Sequence, residues 1–424
     1  MKITFLAIGS RGDVQPYIGL GRGLQTAGHQ VQIAAVGEFR GLVEAGGLDF
    51  FPLTGQVSDL LANPATVEAI TSGRNTIKAM RNLLEMVRPV IFEMFSDAYR
   101  ACQGSDLILN STLAIVGHSI GEKLGIPAID AIPYPLSVPT RAFPNVGWPL
   151  PTFNSGAINY LSHFAVQQIA WQIIRPVLQR VRQEQLELPP APFLGDGPQG
   201  WRDTGPLLFG YSQHVLPRPP EWHDNIHVTG FWFYDEPAWT PPEDLVTFIE
   251  EGPSPVYIGF GSMVTDDMDR MTAMVGDALD RTDQRAVIGA GWAGLGHHLT
   301  GVQRERVFIV DAVPHAWLFP QMAAVVHHGG GGTTAAGFRA GVPTVVIPFF
   351  VDQPWWARRV EALGVGPQPI PRDELSAERL AYALRVATTH PGIRERAAQL
   401  GAAIRAEDGV EAARQVIERI GKGL

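Results

Sequence analysis

Short apolar runs that end in glycine-rich turns, each leading into a helical stretch, recur along this chain and narrow most what it can fold into. Residues 2–8 read as a buried strand, 9–16 as a loop and 16–29 as a helix, with Pro16 at its first turn and Gly28 at its stop. Residues 30–36 read as the next strand. Strand, helix and strand in that order form a βαβ unit, with parallel strands and a right-handed crossover. The pattern repeats with strands at 106–110 and 126–132 around a helix at 114–125. A long amphipathic helix is expected from about 158 to 185, with Leu161, Phe164, Ile169, Ile173 and Val177 along one face. Proline-rich stretches at 215–220 and 235–244 interrupt the rhythm. It then restarts, with strands at 255–262, 285–291, 306–313, 323–330 and 342–349 and a helix from Thr333. The tail from 377 to 420 is mostly helical in pattern.

Two α/β halves follow from this. A chain of 424 residues exceeds one ordinary core. The expected division is a first domain at 1–215, a linker at 216–240 and a second domain at 241–424, the last helix able to pack back on the first domain. Open α/β sheets bind ligands beyond the carboxyl ends of their strands, so a cleft between the halves is the expected site.

Composition removes several function classes. A net charge of −9 argues against nucleic acid, which wants basic stripes. The single Cys102 excludes an internal disulfide and a cysteine-rich metal site, and fits a reducing cytoplasm. The opening residues lack the length and cleavage pattern of a signal peptide, and no stretch reaches the ~18–20 apolar residues of a membrane span. A soluble cytoplasmic protein without integral membrane association is expected, with peripheral contact left open.

The densest chemistry lies between His327 and Trp356. His327 and His328 lead into four consecutive glycines, Gly329 to Gly332, and then Thr333 and Thr334. Glycine in an ordered element costs up to ~1 kcal/mol relative to alanine, so four together point to a ligand touching the backbone. Bared N–H groups at a helix start, with the helix dipole behind them, suit a phosphate. Thr333 and Thr334 could add hydroxyl donors and His328 a side-chain donor. The spacing fits neither a P-loop nor a dinucleotide fingerprint. The structural alternative is a tight βα turn with a satisfied histidine.

Asp352 and Gln353 follow the strand at 342–349, and a carboxylate beside a carboxamide can hold neighbouring hydroxyls, as sugars require. They could equally cap a helix from Pro354. Asp13, placed before a helix starting at Pro16, is a poor N-cap and a candidate cleft-facing carboxylate; an Arg11–Asp13 turn pair is the alternative. Ser262, after the glycines at 259 and 261, could reach a second phosphate. His297 and His298 lack ligand partners at suitable spacing, and no metal is expected.

These residues carry a family likeness. The block at about 310–361 resembles the donor-binding signature of family-one glycosyltransferases of the GT-B fold. The loop GSRGDVQP, 9–16, is similar to the opening loop of the sterol glucosyltransferases and of bacterial glycopeptide and macrolide glycosyltransferases. Residues 230–263 most resemble the sterol glucosyltransferase branch, while the likeness is diffuse over 55–199.

The resemblance implies two Rossmann-like α/β domains facing each other across a cleft, and a nucleotide-sugar donor, UDP-glucose. By it, His328 and the turn through Gly330, Gly332, Thr333 and Thr334 hold the β-phosphate, and Ser262 the α-phosphate. Ala312 and Val313 face the base, Asp352 and Gln353 grip the hexose, and Ser10, Arg11 and Gly12 belong to the donor-side loop. Asp13 falls where plant members carry the catalytic histidine and glycopeptide enzymes an aspartate. Two positions depart from the pattern: the tryptophan that stacks on uracil is replaced near Ala312, and the ribose-binding glutamate corresponds to Ala336.

The expectation is an inverting hexosyltransferase with Asp13 as general base, needing no metal or other cofactor. Tyr134, Phe143 and Trp148, in a proline-rich loop, together with the apolar segment 83–95, point to a hydrophobic acceptor such as a sterol, steroid or polycyclic phenol. The alternatives are a TDP-deoxysugar transferase acting on a polyketide and a non-catalytic nucleotide-sugar-binding helper, with a Rossmann oxidoreductase more distant.

Overall fold

The computed structural model describes residues 1–55, 90–135, 138–148, 155–194, 205–236, 239–261, 268–291, 295–296, 299, 305–349 and 352–422. The chain divides into two compact units, Met1–Tyr234 with Asp408–Leu424, and Asp235–Glu407.

The first unit is built on β1 (Lys2–Leu6), β2 (Gln30–Val36), β3 (Asp49–Leu53), β4 (Leu107–Asn110), β5 (Ala128–Ile132), β6 (Leu207–Phe209) and β7 (Ile226–Val228). They form one parallel sheet in the order β3-β2-β1-β4-β5-β6-β7. The order reverses between β1 and β4, so connections leave in opposite directions there and open a crevice at the carboxyl ends. Near-continuous apolar runs such as Ile3, Phe5 and Leu6 follow from burial on both faces. One face packs α1 (Arg11–Thr26) through Val14, Tyr17 and Ile18; the other packs α2 (Gly117–Leu124) and the end of α3 (Gly156–Glu184) through Ile120, Val177 and Val181.

The second unit repeats the plan. Its strands β8 (Val256–Gly259), β9 (Ala286–Gly289), β10 (Val307–Val310), β11 (Ala324–His327) and β12 (Thr344–Val346) run parallel in the order β10-β9-β8-β11-β12. Here the order reverses between β8 and β11. Helices α4 (Met268–Thr282), α5 (Gly331–Ala340), α6 (Gln353–Leu363), α7 (Ala377–Thr389) and α8 (Pro391–Arg405) complete it, and α9 (Gly409–Lys422) counts with the first unit.

The expected boundaries need correction. Residues 216–240 are not a bare linker, because they contain β7, and Trp232 and Tyr234 lie in the first core. Two glycines let this segment sit close beneath helices. A Cβ at Gly19 of α1 would stand 2.9 Å from the Phe233 carbonyl carbon, and one at Gly409 would stand 2.5 Å from that of Gly230. α9 contributes Ala413, Val416 and Ile417 to the same core. The face expected on α3 also differs: Val177 is buried, but Leu161 and Ile169 are exposed. Among the described residues no helix is long and apolar enough to cross a membrane.

Candidate functional site

In the second unit β11 ends at His327, and Gly329 turns the chain at φ +92°, a conformation that favours glycine. Gly330 is the N-cap, and α5 begins at Gly331, two residues before the Thr333 expected from sequence. The first intrahelical N–H is that of Thr334, donated to Gly330 O at 2.9 Å. The N–H groups of Gly331, Gly332 and Thr333 therefore precede the helix's own bonding. Gly332 is exposed, and a Cβ there would meet nothing within 4 Å. This end of the helix is arranged to receive an anion.

Thr334 does not join it. Its hydroxyl is fully buried and donates to Gly330 O at 2.9 Å, a correction to its expected role; Thr333 stays half-exposed. His328 is partly buried, with Nδ1 enclosed and without a hydrogen-bond partner. A Cβ at Gly330 would lie 2.5 Å from His328 Nε2, so only glycine lets the ring lie over the turn. Burial pulls the His328 pKa down to about 4, making it neutral at physiological pH. His327 is wholly buried and also held neutral, first by burial and then by the neighbouring histidines. Its Nδ1 accepts from Gly329 N–H at 2.9 Å, which shapes the turn.

Asp352 and Gln353 approach the same turn with divided duties. Asp352 is the N-cap of α6, half-exposed, and its Oδ2 accepts from Trp356 Nε1 at 3.1 Å. A Cβ at Gly331 would stand 3.1 Å from that Nε1, so the indole bridges the carboxylate and the start of α5. Trp356 was missed from sequence, though its i,i+4 spacing from Asp352 was a usable signal. Gln353 begins α6 at a buried position, and its Oε1 accepts from Phe349 N–H at 2.8 Å. That oxygen braces the preceding loop, which leaves the Nε2 amide of Gln353 as its group for the expected hexose contact.

Ala312 is exposed just past β10, whereas Val313 is partly buried against the core beside α5, and Ala336 packs there too. Ser262, His297 and His298 lie outside the described residues. Among the described residues no three His, Cys, Asp or Glu side chains gather as metal ligands.

In the first unit α1 starts at Arg11, not Pro16, so Asp13 sits inside the first turn. Pro16 forfeits the bond its N–H would give to Gly12 O. Ser10 is the N-cap; its N–H and its hydroxyl both donate to Asp13 Oδ2, at 2.8 and 3.0 Å. Gly9, at φ +140°, makes room: a Cβ there would stand 2.6 Å from Asp13 Cγ. Burial raises the Asp13 pKa, and the two Ser10 bonds lower it by less. Arg11 pairs its Nε with Gln15 Oε1 at 3.3 Å, and Ser10, Arg11 and Gly12 are exposed.

The expected acceptor residues separate. Tyr134 and Trp148 are half-exposed. Phe143 is packed edge-on to His163 and Trp222, at 5.9 and 6.3 Å between centroids, so it belongs to the loop's own packing. Asn145 N–H donates to Ser162 Oγ, and His163 Nε2–H donates to Phe143 O at 3.0 Å, which fastens the loop to α3. Of the segment 83–95 only 90–95 is described; Phe95 is buried.

Two parallel sheets, each with a glycine turn opening onto a helix at its switch point, define the GT-B class of fold. The glycosyltransferase VinC, solved in complex with DTDP, shares it, with a TM-score of 0.67 at 19% identity over 100% of both chains. A family model described as the glycosyltransferase family 28 N-terminal domain matches residues 3–137. One described as the erythromycin biosynthesis protein CIII-like C-terminal domain matches 277–418. A sterol 3-beta-glucosyltransferase of Arabidopsis thaliana is 36% identical over 99% of this chain and 68% of its own. That of Cryptococcus neoformans var. neoformans is 37% identical over 99% of this chain, which spans only 27% of the fungal protein's length. The chain belongs to the glycosyltransferase family that contains the sterol 3-beta-glucosyltransferases.

Proposed function

We propose that this protein is an inverting glycosyltransferase that moves glucose from UDP-glucose to a hydroxyl of a hydrophobic acceptor, a sterol, steroid or polycyclic phenol. The observation that carries the reading is the start of α5, where three backbone N–H groups precede the helix's own bonding beside His328 at the β8/β11 switch point. The relatives named for sterol glucosylation support the acceptor class, and VinC's bound DTDP supports a nucleoside diphosphate in this fold.

In this mechanism the acceptor oxygen attacks the anomeric carbon from the face opposite the nucleotide. Its proton passes to Asp13, and the bond from that carbon to the β-phosphate oxygen breaks. The electron pair leaves with the diphosphate, whose charge the α5 N–H groups and the helix dipole stabilise. These donors take the part a cation would otherwise play, so no metal is assigned. Asp352 holds hexose hydroxyls, oriented by Trp356. The Asp13 carboxylate, made more basic by burial, is suited to positioned base catalysis, typically ~10²–10⁴-fold.

A donor-by-acceptor matrix read by mass spectrometry tests the whole. Glucosylated sterol with release of UDP is expected. VinC's ligand favours a second reading, a TDP-deoxysugar donor, and turnover of that donor alone would select it. Donor binding without release of diphosphate, across all acceptors, would identify a non-catalytic helper.

A further inference from the structure

Residues 131–183 contain no aspartate or glutamate, in a chain that has 42 of them and a net charge of −9. The same stretch holds Arg141, Arg175, Arg180 and Arg182. α3 fills its second half, and from Gly156 to Ile174 that helix carries no Lys, Arg, Asp or Glu. His163 within it is buried and neutral, its pKa drawn down to about 4 by desolvation.

At 3.6 residues per turn, Ile158, Leu161, Ala165, Ile169, Gln172 and Pro176 fall within about 80° of one another around the helix. Leu161 is 62% and Ile169 53% exposed, so this stripe faces solvent. Phe193 and Leu194 widen it. Gln172 Nε2 donates to Phe193 O and Gln168 Nε2 to Leu194 O, both at 2.7 Å, and Trp171 Nε1 donates to Phe193 O at 3.1 Å. Three side chains of α3 thus hold the backbone of the returning chain and leave Phe193 66% and Leu194 56% exposed. Their exposure is built in. Arg175 stands 4.9 Å from the Phe193 ring centroid and donates to the carboxamides of Gln172 and Gln179, so a positive charge borders the apolar patch.

We infer that this face docks on an anionic phospholipid bilayer. α3 lies in the headgroup layer, with Leu161, Ile169, Phe193 and Leu194 among the upper acyl carbons and Arg175 toward lipid phosphates. Arg180 and Arg182, farther along α3, are paired with Glu184 and Glu122, so Arg175 is the charge at the edge of the patch, and an apolar stripe bordered by a basic residue is the pattern of an interfacial helix. The missing carboxylates remove the groups that a negatively charged leaflet would repel. A docking face for another protein has no such reason to exclude acids over so long a stretch. The inference stands on this face and does not depend on the glucosyl-transfer reading.

Flotation of the full chain with vesicles tests it. The wild type should float with phosphatidylcholine mixed with phosphatidylglycerol, and less with phosphatidylcholine alone. Leu161→Ser with Ile169→Ser, and separately Phe193→Ser with Leu194→Ser, should each cut the bound fraction by roughly tenfold or more, since an interfacial helix binds through its inserted apolar area. Their melting temperatures should match the wild type, because the side chains are exposed. A wild type that stays in solution with both vesicles overturns the inference, as do double variants that float normally. A dimer broken by the same substitutions, without flotation, would give the face to a second copy and overturn it too.

Discussion

Ser10 gives both its backbone N–H and its hydroxyl to one oxygen of Asp13, at 2.8 and 3.0 Å. Both bonds favour the carboxylate, and burial opposes them more strongly, leaving the pKa raised. An N-cap and its N3 carboxylate thus hold a group that would serve as base.

Asp13→Asn should lower turnover by two or more orders of magnitude, the contribution of a positioned base. An acid whose folded pKa lies above its unfolded one adds stability only at low pH, and loses it as pH rises through the folded value. At neutral pH the ionised Asp13 therefore disfavours folding, and the asparagine retains an oxygen for Ser10. The variant should melt no lower than wild type at pH 7. Near-normal turnover would remove Asp13 from the chemistry and move suspicion to Asp352.

His328 should act as a neutral donor, because its pKa lies near 4. His328→Ala is expected to weaken UDP-glucose by about 1.5–3 kcal/mol, the worth of a hydrogen bond to a charged group, and uridine far less. Calorimetry on wild type should find UDP-glucose affinity level from pH 6 to 8. Affinity that falls through this range would mean a protonated ring binds the donor.

Asp352 and Gln353 should separate in their effects. Asp352→Asn keeps an oxygen for Trp356 Nε1 but loses its charge; it should raise the donor KM and blur glucose against galactose with melting unchanged. Gln353→Ala leaves Phe349 N–H unpaired in a partly buried place and should cost about 1–3 kcal/mol of stability, read by denaturation. Equal melting of both variants would show that the Gln353–Phe349 bond braces nothing.

Acid should destabilise the first unit through His163, whose folded pKa of about 4 lies below the ordinary 6.5. The unfolded chain binds the proton first, so the stability this histidine contributes is complete above pH 6.5 and declines as pH falls toward 4. The slope is about 1.4 kcal/mol per pH unit for one proton. His163→Gln keeps a donor for Phe143 O and cannot titrate, so its unfolding free energy should fall less steeply over that window. An unchanged slope would assign the acid loss to other groups, with the wholly buried His327 foremost.

The alternation of strands and helices was legible because its signals are local. Strands buried on both faces must be near-continuously apolar, and glycine turns after β1 and β11 announce where the chain leaves the sheet for a helix. The bunching of His328, the glycines and Asp352 could be read on the same ground. Helix starts could not. Whether Arg11 or Pro16 opens α1 depends on the Asp13 side chain folding back onto Ser10, and α5 gained two glycines that propensity would have left outside.

Tertiary structure alone decided which polar groups are spent on the fold. Thr334 and Gln353 look like ligand groups in sequence, yet the Thr334 hydroxyl donates to Gly330 O and the Gln353 Oε1 accepts from Phe349 N–H, across turns whose shape emerges only on folding. Residues 230–233 fall in the expected linker between two proline-rich stretches, but Gly19 and Gly409, nearly four hundred positions apart, admit them close to helices. On α3 the apolar pattern predicted a covered face that includes Leu161 and Ile169, and the fold left those two in solvent. Periodicity is a property of one helix, whereas burial depends on which distant surface arrives to cover it.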